Sequence, residues 1–137
     1  ALQVGCGGGY AACVLARLCA TVVALESDGT LVALAETNLA AEGADNAIVV
    51  RGELAAGYAE PAPYDVIFLN GAVAAIPETL HAQLAEGGRM VAVVRPGAGI
   101  GKGTLFRRSG GSIDRSELFD AATPVLPGFG APRDFAF

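Results

Sequence analysis

Short apolar runs alternate with longer helical segments over the first 94 residues of the chain. Three of the longer segments are predicted helices: residues 10–20, 28–42 and 77–84. Five of the apolar runs are predicted strands: residues 1–4, 21–25, 47–50, 64–69 and 90–94. Largely apolar strands separated by helices are typical of a parallel sheet that is covered on both faces.

Individual residues predict where some of these helices begin and end. Asp28 is a predicted helix N-cap, and Gly43 is predicted to stop the same helix. The helix at residues 10–20 is apolar all round and is therefore predicted to be largely buried. The helix at residues 77–84 begins with a proline, and Gly87-Gly88 is predicted to end it.

The alternation of predicted strands and helices ends after residue 94. Residues 95–103 are rich in glycine and predict an irregular segment, whereas Ser109-Gly110-Gly111 predicts a hairpin turn between strands at 104–108 and 112–119. The proline-containing tail from Thr123 is predicted to be irregular, with residues 135–137 as a last edge strand. We therefore expect one α/β domain over residues 1–137, with a Rossmann-like, mostly parallel sheet that ends in an antiparallel hairpin.

The charge of the chain bears on which kinds of partner it can bind. The chain has 14 acidic and 9 basic residues among 137, a formal net charge of −5, which disfavours nucleic acid as a partner. The charge is uneven, because six of the nine basic residues follow residue 94. The apolar fraction of 53% is ample for a folded core.

The cysteines and the single histidine predict no metal site. Cys6, Cys13 and Cys19 form neither a CxxC motif nor a Cys/His ligand pattern, and His81 is the one histidine of the sequence. We expect three reduced thiols in a cytoplasmic protein. The longest apolar runs are too short to span a bilayer, so no membrane partner is expected. The oligomeric state is left open.

A glycine-rich loop is the most informative motif. Residues 4–10 read Val-Gly-Cys-Gly-Gly-Gly-Tyr, after a predicted strand and before a predicted helix, where nucleotide ligands bind. A dinucleotide loop requires a small residue where Tyr10 stands. The spacing of Gly5, Gly7 and Gly9 favours S-adenosylmethionine, whose carboxylate can use the helix N-terminus. A nicotinamide dinucleotide and a turn without any ligand are the alternatives.

Residues at the ends of the next three strands complete the predicted site. Glu26 lies 21 residues after Gly5, where a carboxylate can accept both ribose hydroxyls of an adenosine, and Ser27 follows it. Glu53 and Leu54 are candidates for contacts with adenine, and Asn70 is a candidate for the reacting end of the ligand. The predicted cofactor-binding residues are Gly5, Cys6, Gly7, Gly9, Tyr10, Glu26, Ser27, Glu53, Leu54 and Asn70.

These motifs resemble class I S-adenosylmethionine-dependent methyltransferases, and more closely the protein-L-isoaspartate O-methyltransferase family. The general resemblance lies in residues 4–10, Glu26 and residues 64–67. The closer one adds Ile76-Pro77, Leu80, Gln83-Leu84 and Gly87-Gly88-Arg89-Met90-Val91. The resemblance covers residues 1–94.

The resemblance implies methyl transfer to the free carboxylate of an L-isoaspartyl residue in a damaged peptide or protein, with S-adenosylhomocysteine as product. It also implies that the family's substrate segment, with its Ser/Thr, lies upstream of the glycine loop; we expect a domain that lacks it, and we assign no catalytic residue. The family usually has an acid at Gln3, a different turn at Asn70, and Pro-Val-Gly where Val93-Val94-Arg95 stands.

Two other functions compete with this interpretation. Gln3 and the turn at Asn70 motivate a methyltransferase relative with a diverged site, which is either non-catalytic or acts on a small molecule. The strand–glycine–helix–Glu26 arrangement also fits an NAD-dependent oxidoreductase, which we consider less favoured. A methyl transfer to a carboxylate needs no general base, so the absence of a Ser/His/Asp or Cys/His motif does not exclude an enzyme.

Overall fold

A computed structural model describes residues 1–129 of the chain. Strands and helices alternate in it up to residue 94, and a hairpin follows. The elements are β1 (Leu2–Val4), α1 (Tyr10–Leu18), β2 (Val22–Glu26), α2 (Gly29–Ala41), β3 (Ala47–Arg51), a short 3₁₀ helix (Leu54–Ala56), β4 (Tyr64–Val73), α3 (Glu78–Ala82), β5 (Leu84–Val94), β6 (Gly101–Ser109) and β7 (Ser112–Ala121).

The strands form one seven-stranded sheet in the order β3-β2-β1-β4-β5-β6-β7. Strands β1 to β5 run parallel to one another, while β6 pairs antiparallel with both β5 and β7. The predicted mostly parallel sheet with a C-terminal antiparallel hairpin is therefore confirmed. Because β1 to β5 are parallel, their carboxyl ends share one edge of the sheet.

Alternate residues of the central strands pack into two different cores. Leu2, Val4 and Leu25 belong to a cluster that includes Leu54 of the 3₁₀ helix and Leu80 of α3. Ala24, on the other face of β2, belongs with residues of α1 and α2 to a second cluster. Since neighbouring side chains of a strand point to opposite faces, helices cover both faces of the sheet, as predicted.

The predicted limits of α2 are confirmed. The Asp28 carboxylate accepts hydrogen bonds from the backbone N–H groups of Thr30 and Leu31, at 2.8 and 3.2 Å. Gly43, with a φ of 67°, follows the helix end. The N–H of the next residue, Ala44, donates back to the Leu39 carbonyl at 3.0 Å, so the last turn is closed as in a glycine-terminated helix.

The prediction that α1 is largely buried is wrong. Ala12 is its one buried residue, whereas Tyr10 and Leu18 are 84% and 76% exposed. Only one side of this helix packs on the sheet and α2, and nothing in residues 1–129 covers the other side. Apolar composition alone therefore overestimated its burial.

The boundaries around α3 also differ from the prediction. The helix ends at Ala82, and Gly87-Gly88 lies inside β5 instead of ending the helix. Leu84 of β5 pairs with Tyr64 of β4, and the next pair is Arg89 of β5 with Val66 of β4. The two pairs are five residues apart in β5 but only two residues apart in β4, so β5 contains a bulge. Gly87, with a φ of 76°, permits this bulge.

The glycine-rich segment after β5 is only partly irregular, which corrects the prediction for residues 95–103. Gly101 and Gly103 are part of β6. A side chain at Gly101 would come within 2.6 Å of Val93, and one at Gly103 would meet the ring of Phe119. Glycine here serves close packing. The predicted hairpin is confirmed, with Gly110 and Gly111 at φ values of 60° and 80° between β6 and β7.

The segment after β7 crosses the carboxyl end of β4. Ala72 N–H donates to the Pro124 carbonyl, and Leu126 N–H donates to the Ala72 carbonyl, both at 2.9 Å. Phe129 is buried in the same core as Leu80. We call residues 124–129 the C-terminal strap. The edge strand predicted at residues 135–137 lies outside the described residues. None of the helices in residues 1–129 is long and apolar enough to cross a membrane.

Candidate functional site

The glycine loop between β1 and α1 has a backbone that only glycine adopts readily. Gly5, Gly7 and Gly9 have φ values of 80°, 52° and 91°, which are strained for residues with a side chain. The N–H groups of Gly5 and Cys6 both donate to the Leu25 carbonyl, at 2.9 and 3.0 Å, and tie the loop to the end of β2. These hydrogen bonds anchor the start of the loop to the sheet.

The loop is open on one side and closed on the other. A side chain added at Gly7 would meet no atom within 4 Å, so the space above this residue is free. One added at Gly9 would lie 3.3 Å from the backbone of Ala35 in α2. Asn38 of α2 also donates to the Gly8 carbonyl at 2.8 Å. The loop is thus held against α2 and exposes its other side.

Helix α1 begins directly after the loop and carries no side-chain cap. Its first backbone hydrogen bond is donated by Cys13 to the Gly9 carbonyl at 3.0 Å, so the N–H groups of Tyr10, Ala11 and Ala12 lack intrahelical acceptors. These donors and the positive end of the helix favour an anionic group. Tyr10 is 84% exposed and stands at this helix start.

Glu26 joins the end of β2 to the glycine loop. Its Oε1 accepts a hydrogen bond from Gly7 N–H at 2.9 Å. Its Oε2 accepts from the N–H groups of Ser27 and Asp28, at 2.7 and 3.0 Å. The side chain is buried, yet Oε1 keeps one lone pair for a further donor such as a hydroxyl group. The predicted closeness of Glu26 and the loop is therefore present.

The residues after β2 and β3 differ in exposure. Ser27 is half-buried beside Glu26, and Glu53 is exposed at the start of the 3₁₀ helix without capping it. Leu54 is 2% exposed and packs in the main core, within 3.8 Å of where a Gly5 side chain would begin. Leu54 therefore lies beneath the loop, whereas Glu53 is exposed near the edge of the sheet.

Asn70 lies within β4 and not in a turn after it, which corrects the sequence-based boundary. Phe68 pairs with Val91 and Ala72 with Val93, so β4 has two extra residues between these pairs. Asn70 is exposed in this bulge. Bulges redirect side chains at sheet edges, and this one places the Asn70 side chain in solvent near the end of β4.

Leu126 of the C-terminal strap packs beside the glycine loop, a contact that the sequence pattern did not predict. An added side chain would come within 2.8 Å of Leu126 at Gly5 and within 2.7 Å at Gly71. The strap thus fills the space between the ends of β1 and β4. Leu126 is more than 50 residues from either glycine, and no local pattern indicates such a contact.

Gln3 lies on β1 below the loop and is fully buried. Neither its Oε1 nor its Nε2 has a hydrogen-bond partner among the described residues. A buried amide without partners costs free energy, and a polar group of a bound ligand would remove that cost.

Cys6 is held as a neutral thiol. Its side chain is 2% exposed and donates a weak hydrogen bond to the Gly7 carbonyl at 3.6 Å. Burial, together with the nearby Glu26 carboxylate, raises the pKa of Cys6 to about 11. The structure therefore favours a role for the Cys6 backbone in the loop over a role for its thiol.

We expect Cys6 to resist alkylation in the folded protein. With a pKa of about 11, about one thiol in a thousand is ionised at pH 8, and the thiolate is the reactive form. Iodoacetamide labelling followed by mass spectrometry should find Cys6 unmodified at pH 8 and modified after unfolding in urea. Rapid labelling of the folded protein at pH 8 would contradict this environment.

The strand order places these groups along one edge of the sheet. From β3 to β4 the edge presents Glu53, the Glu26 carboxylate, the glycine loop and Asn70. The Glu26 carboxylate can accept hydrogen bonds from the hydroxyl groups of a ribose, and the adjacent N-terminus of α1 can bind an anion. Together they suit a nucleoside that carries an amino-acid group. The unpaired Gln3 amide, the open space above Gly7 and the free lone pair of Glu26 agree with such a ligand.

Comparison with known proteins gives a consistent match. The sequence profile of the protein-L-isoaspartate(D-aspartate) O-methyltransferase family matches residues 1–119. A protein-L-isoaspartate O-methyltransferase from Methanoregula boonei is 47% identical over 93 residues, which are 68% of this chain and 43% of that protein. One from Methylorubrum populi is 41% identical over 134 residues, or 95% of this chain and 61% of that protein. The chain spans about half the length of the curated relatives it matches.

Solved structures agree in fold. A protein-L-isoaspartate O-methyltransferase superposes with a TM-score of 0.88 at 29% identity, covering 95% of this chain and 42% of that one. A SAM-dependent methyltransferase from Thiobacillus denitrificans, in complex with S-adenosyl-L-homocysteine, has a TM-score of 0.56 at 24% identity. It covers 66% of this chain and 40% of its own, and shows the fold alone.

Proposed function

Because this chain belongs to the protein-L-isoaspartate O-methyltransferase family, we propose that it binds S-adenosylmethionine and directs methyl transfer to the free carboxylate of an L-isoaspartyl residue. The observation that carries the proposal is the pairing of the buried Glu26 carboxylate with the glycine loop, at 2.9 Å from Gly7 N–H. The acceptor is a damaged peptide or protein. A cytoplasmic location is part of the same proposal.

The proposed cofactor contacts follow from the groups at the sheet edge. Glu26 accepts ribose hydroxyls, and the N-terminal N–H groups of α1 bind the carboxylate of the methionine part. Glu53 is the candidate for the adenine amino group, and Asn70 lies on the side of the reacting methyl group. Gln3 offers its amide from below the loop. Each of these assignments is a proposal from position and chemistry.

The reaction requires the protein to align the two reactants and to exclude water. S-adenosylmethionine supplies a methyl group on a sulfonium, which is activated for displacement. The acceptor carboxylate is already ionised at neutral pH, so methyl transfer would need no general base from the chain. The new O–CH₃ bond would form as the S–CH₃ bond breaks, and the electron pair of the broken bond would stay on sulfur. What the chain contributes is orientation of the carboxylate and exclusion of water near β4.

A matched pair of peptides tests the function. One peptide contains a single L-isoaspartyl residue, and its control contains ordinary aspartate at the same position. We expect base-labile methyl incorporation from labelled S-adenosylmethionine into the first peptide and none into the second. The assay uses this chain and, where its gene encodes more than these residues, the whole product. No ester on either peptide at high protein concentration, or equal labelling of both, would contradict the proposal.

A diverged site is a second candidate, favoured by one observation. Gln3 is fully buried and unpaired where the family usually has an acid, so the methionine amine meets a neutral amide. A protein of this kind binds S-adenosylhomocysteine but gives no ester with either peptide. Binding without turnover in the whole gene product would favour this candidate over the enzyme.

A further inference from the structure

Arg95 lies between two cavities at the carboxyl edge of the sheet. The first, of about 520 Å³, is bounded by the segment after β4, the end of β5, α3 and the β6–β7 hairpin. The second, of about 460 Å³, is bounded by Ala72 of β4, Val93 of β5 and residues that lead into the strap. Both volumes are within the range of sites for small molecules or short peptide segments. Arg95 directly follows β5, which neighbours β4, the strand that contains Asn70.

The backbone of Arg95 is fixed, but its side chain lacks partners. Its N–H donates to the Val73 carbonyl at 2.8 Å, which continues the pairing of β4 and β5. The buried Nε has no hydrogen-bond partner, and the guanidinium forms no ion pair within residues 1–129. Leaving a buried donor unmet is costly, and a carboxylate would satisfy the guanidinium with two parallel hydrogen bonds.

The other charged groups of the first cavity largely neutralise one another. Lys102 forms an ion pair with Asp120. Arg115 lies 3.9 Å from Glu117 and 5.5 Å from the centre of the Phe106 ring. Arg95 is therefore the cation of this wall whose charge remains unbalanced by the described residues. Since Arg95 is half-buried, its attraction for an anion is less screened than that of a fully exposed arginine.

His81 and Arg108 complete the polar surroundings. Burial, opposed in part by Glu78, lowers the pKa of His81, so its imidazole is neutral near pH 7. Arg108 of β6 donates to the His81 carbonyl. Its Nε is also unpartnered and it forms no ion pair within residues 1–129, but it lines neither cavity. Neither group adds a carboxylate that would compete for Arg95. The cavity wall keeps a net positive charge on a chain whose overall charge is −5.

We propose that Arg95 binds an acidic side chain of the acceptor peptide, adjacent in sequence to the isoaspartyl residue, and so makes the protein prefer acidic sequences. This inference rests on the proposed function, because it takes the acceptor to lie at the end of β4. Ala72, which follows Asn70 by two residues, lines the same cavity as Arg95. A single guanidinium between paired charges fits one carboxylate, whereas a polyanion would be repelled by the acidic chain.

Two isoaspartyl peptides test the preference by binding. Both are acetylated and amidated, both carry a fluorophore, and they differ only in Glu or Gln next to the isoaspartyl residue. Fluorescence anisotropy in the presence of S-adenosylhomocysteine measures each dissociation constant. We expect the Glu peptide to bind about fivefold to tenfold more tightly, as one half-buried charge pair would give. The difference should shrink as salt is raised.

Substitutions test whether Arg95 causes the preference for the Glu peptide. Arg95→Gln should remove the difference between the peptides, and Arg95→Lys should keep part of it because it keeps the charge but loses the planar fork. The matched control is Arg107→Gln. Arg107 is exposed on β6, pairs in register with Arg89 and Asp114, and lines neither cavity. Arg107→Gln should leave the preference unchanged, and thermal melts check that every variant folds.

The outcomes separate this inference from the proposed function. Equal affinity for the two peptides, a preference that survives Arg95→Gln, or no binding of either peptide would overturn the inference. Methyl ester formation at equal kcat/KM on both peptides would leave the function intact and refute the role of Arg95. An Arg95-dependent binding preference without ester formation would support the role of Arg95 and contradict the proposed function.

Discussion

Replacing Glu26 by glutamine should lower the affinity for S-adenosylhomocysteine about 100-fold, which corresponds to about 2.7 kcal/mol. The substitution removes the charge that receives the ribose hydroxyls. It also turns an NH₂ group toward backbone donors, because the carboxylate accepts from Gly7, Ser27 and Asp28. Each hydrogen bond to a charged group is worth about 1.5–3 kcal/mol, so the loop loses both a ligand contact and its support. Calorimetric titration measures the affinity.

Glu36→Gln is the matched control for this effect. Glu36 is exposed on α2, the helix that follows Glu26, and the same change there removes the same charge. We expect its affinity to stay within twofold of that of the unchanged chain, since surface charges contribute about 1 kcal/mol or less. If Glu26→Gln folds, as judged by its melting curve, and binds as tightly as Glu36→Gln, Glu26 does not hold the cofactor.

Gly9→Ala should lower the free energy of unfolding by about 3 kcal/mol. A residue with a side chain at positive φ costs about 1–2 kcal/mol, and the φ of Gly9 is 91°. The added carbon would also lie 3.3 Å from the Ala35 backbone, which cannot rotate away as a side chain can, so overpacking adds about 1 kcal/mol or more. Urea unfolding measures the change.

Gly7→Ala separates the two causes. Its φ of 52° also requires the left-handed region, but no atom lies within 4 Å of the added carbon. We therefore expect a loss of about 1 kcal/mol, from backbone strain alone. Equal losses at Gly7 and Gly9 would mean that the contact with α2 contributes nothing to the cost.

The parallel part of the fold could be predicted from the sequence because its signals are local. The N-cap at Asp28, the stop at Gly43 and the continuously apolar strands depend on neighbours within a few residues. The same holds for the glycine loop with Glu26, whose predicted closeness follows from adjacent strands that end at one edge. The Gly110-Gly111 turn is of the same kind.

The boundaries that failed depend on distant partners. Gly87-Gly88 reads as a helix stop, but β4 draws these residues into a bulge of β5. Gly101 and Gly103 read as irregular, yet they let β5 and β7 approach closely. In each case the deciding contact is an element elsewhere in the chain, which local propensity does not register.

The sequence indicated which strand ends carry the candidate site residues, but not the local structure around them. Asn70 lies in a bulge within β4 and Leu54 is buried in the core, and their contacts with a ligand stay predictions. The sequence did not indicate Leu126, which reaches Gly5 from the far end of the chain. Exposure of α1 was also misjudged, because apolar composition says nothing about which elements are present to cover a helix.

Calorimetric titration with S-adenosylhomocysteine, with NADH as a parallel control, tests whether the loop from Gly5 to Gly9 and the Glu26 carboxylate bind S-adenosylmethionine. We expect binding of S-adenosylhomocysteine in the micromolar range and no binding of NADH. Saturable binding of NADH without S-adenosylhomocysteine, or binding of neither, would contradict this expectation.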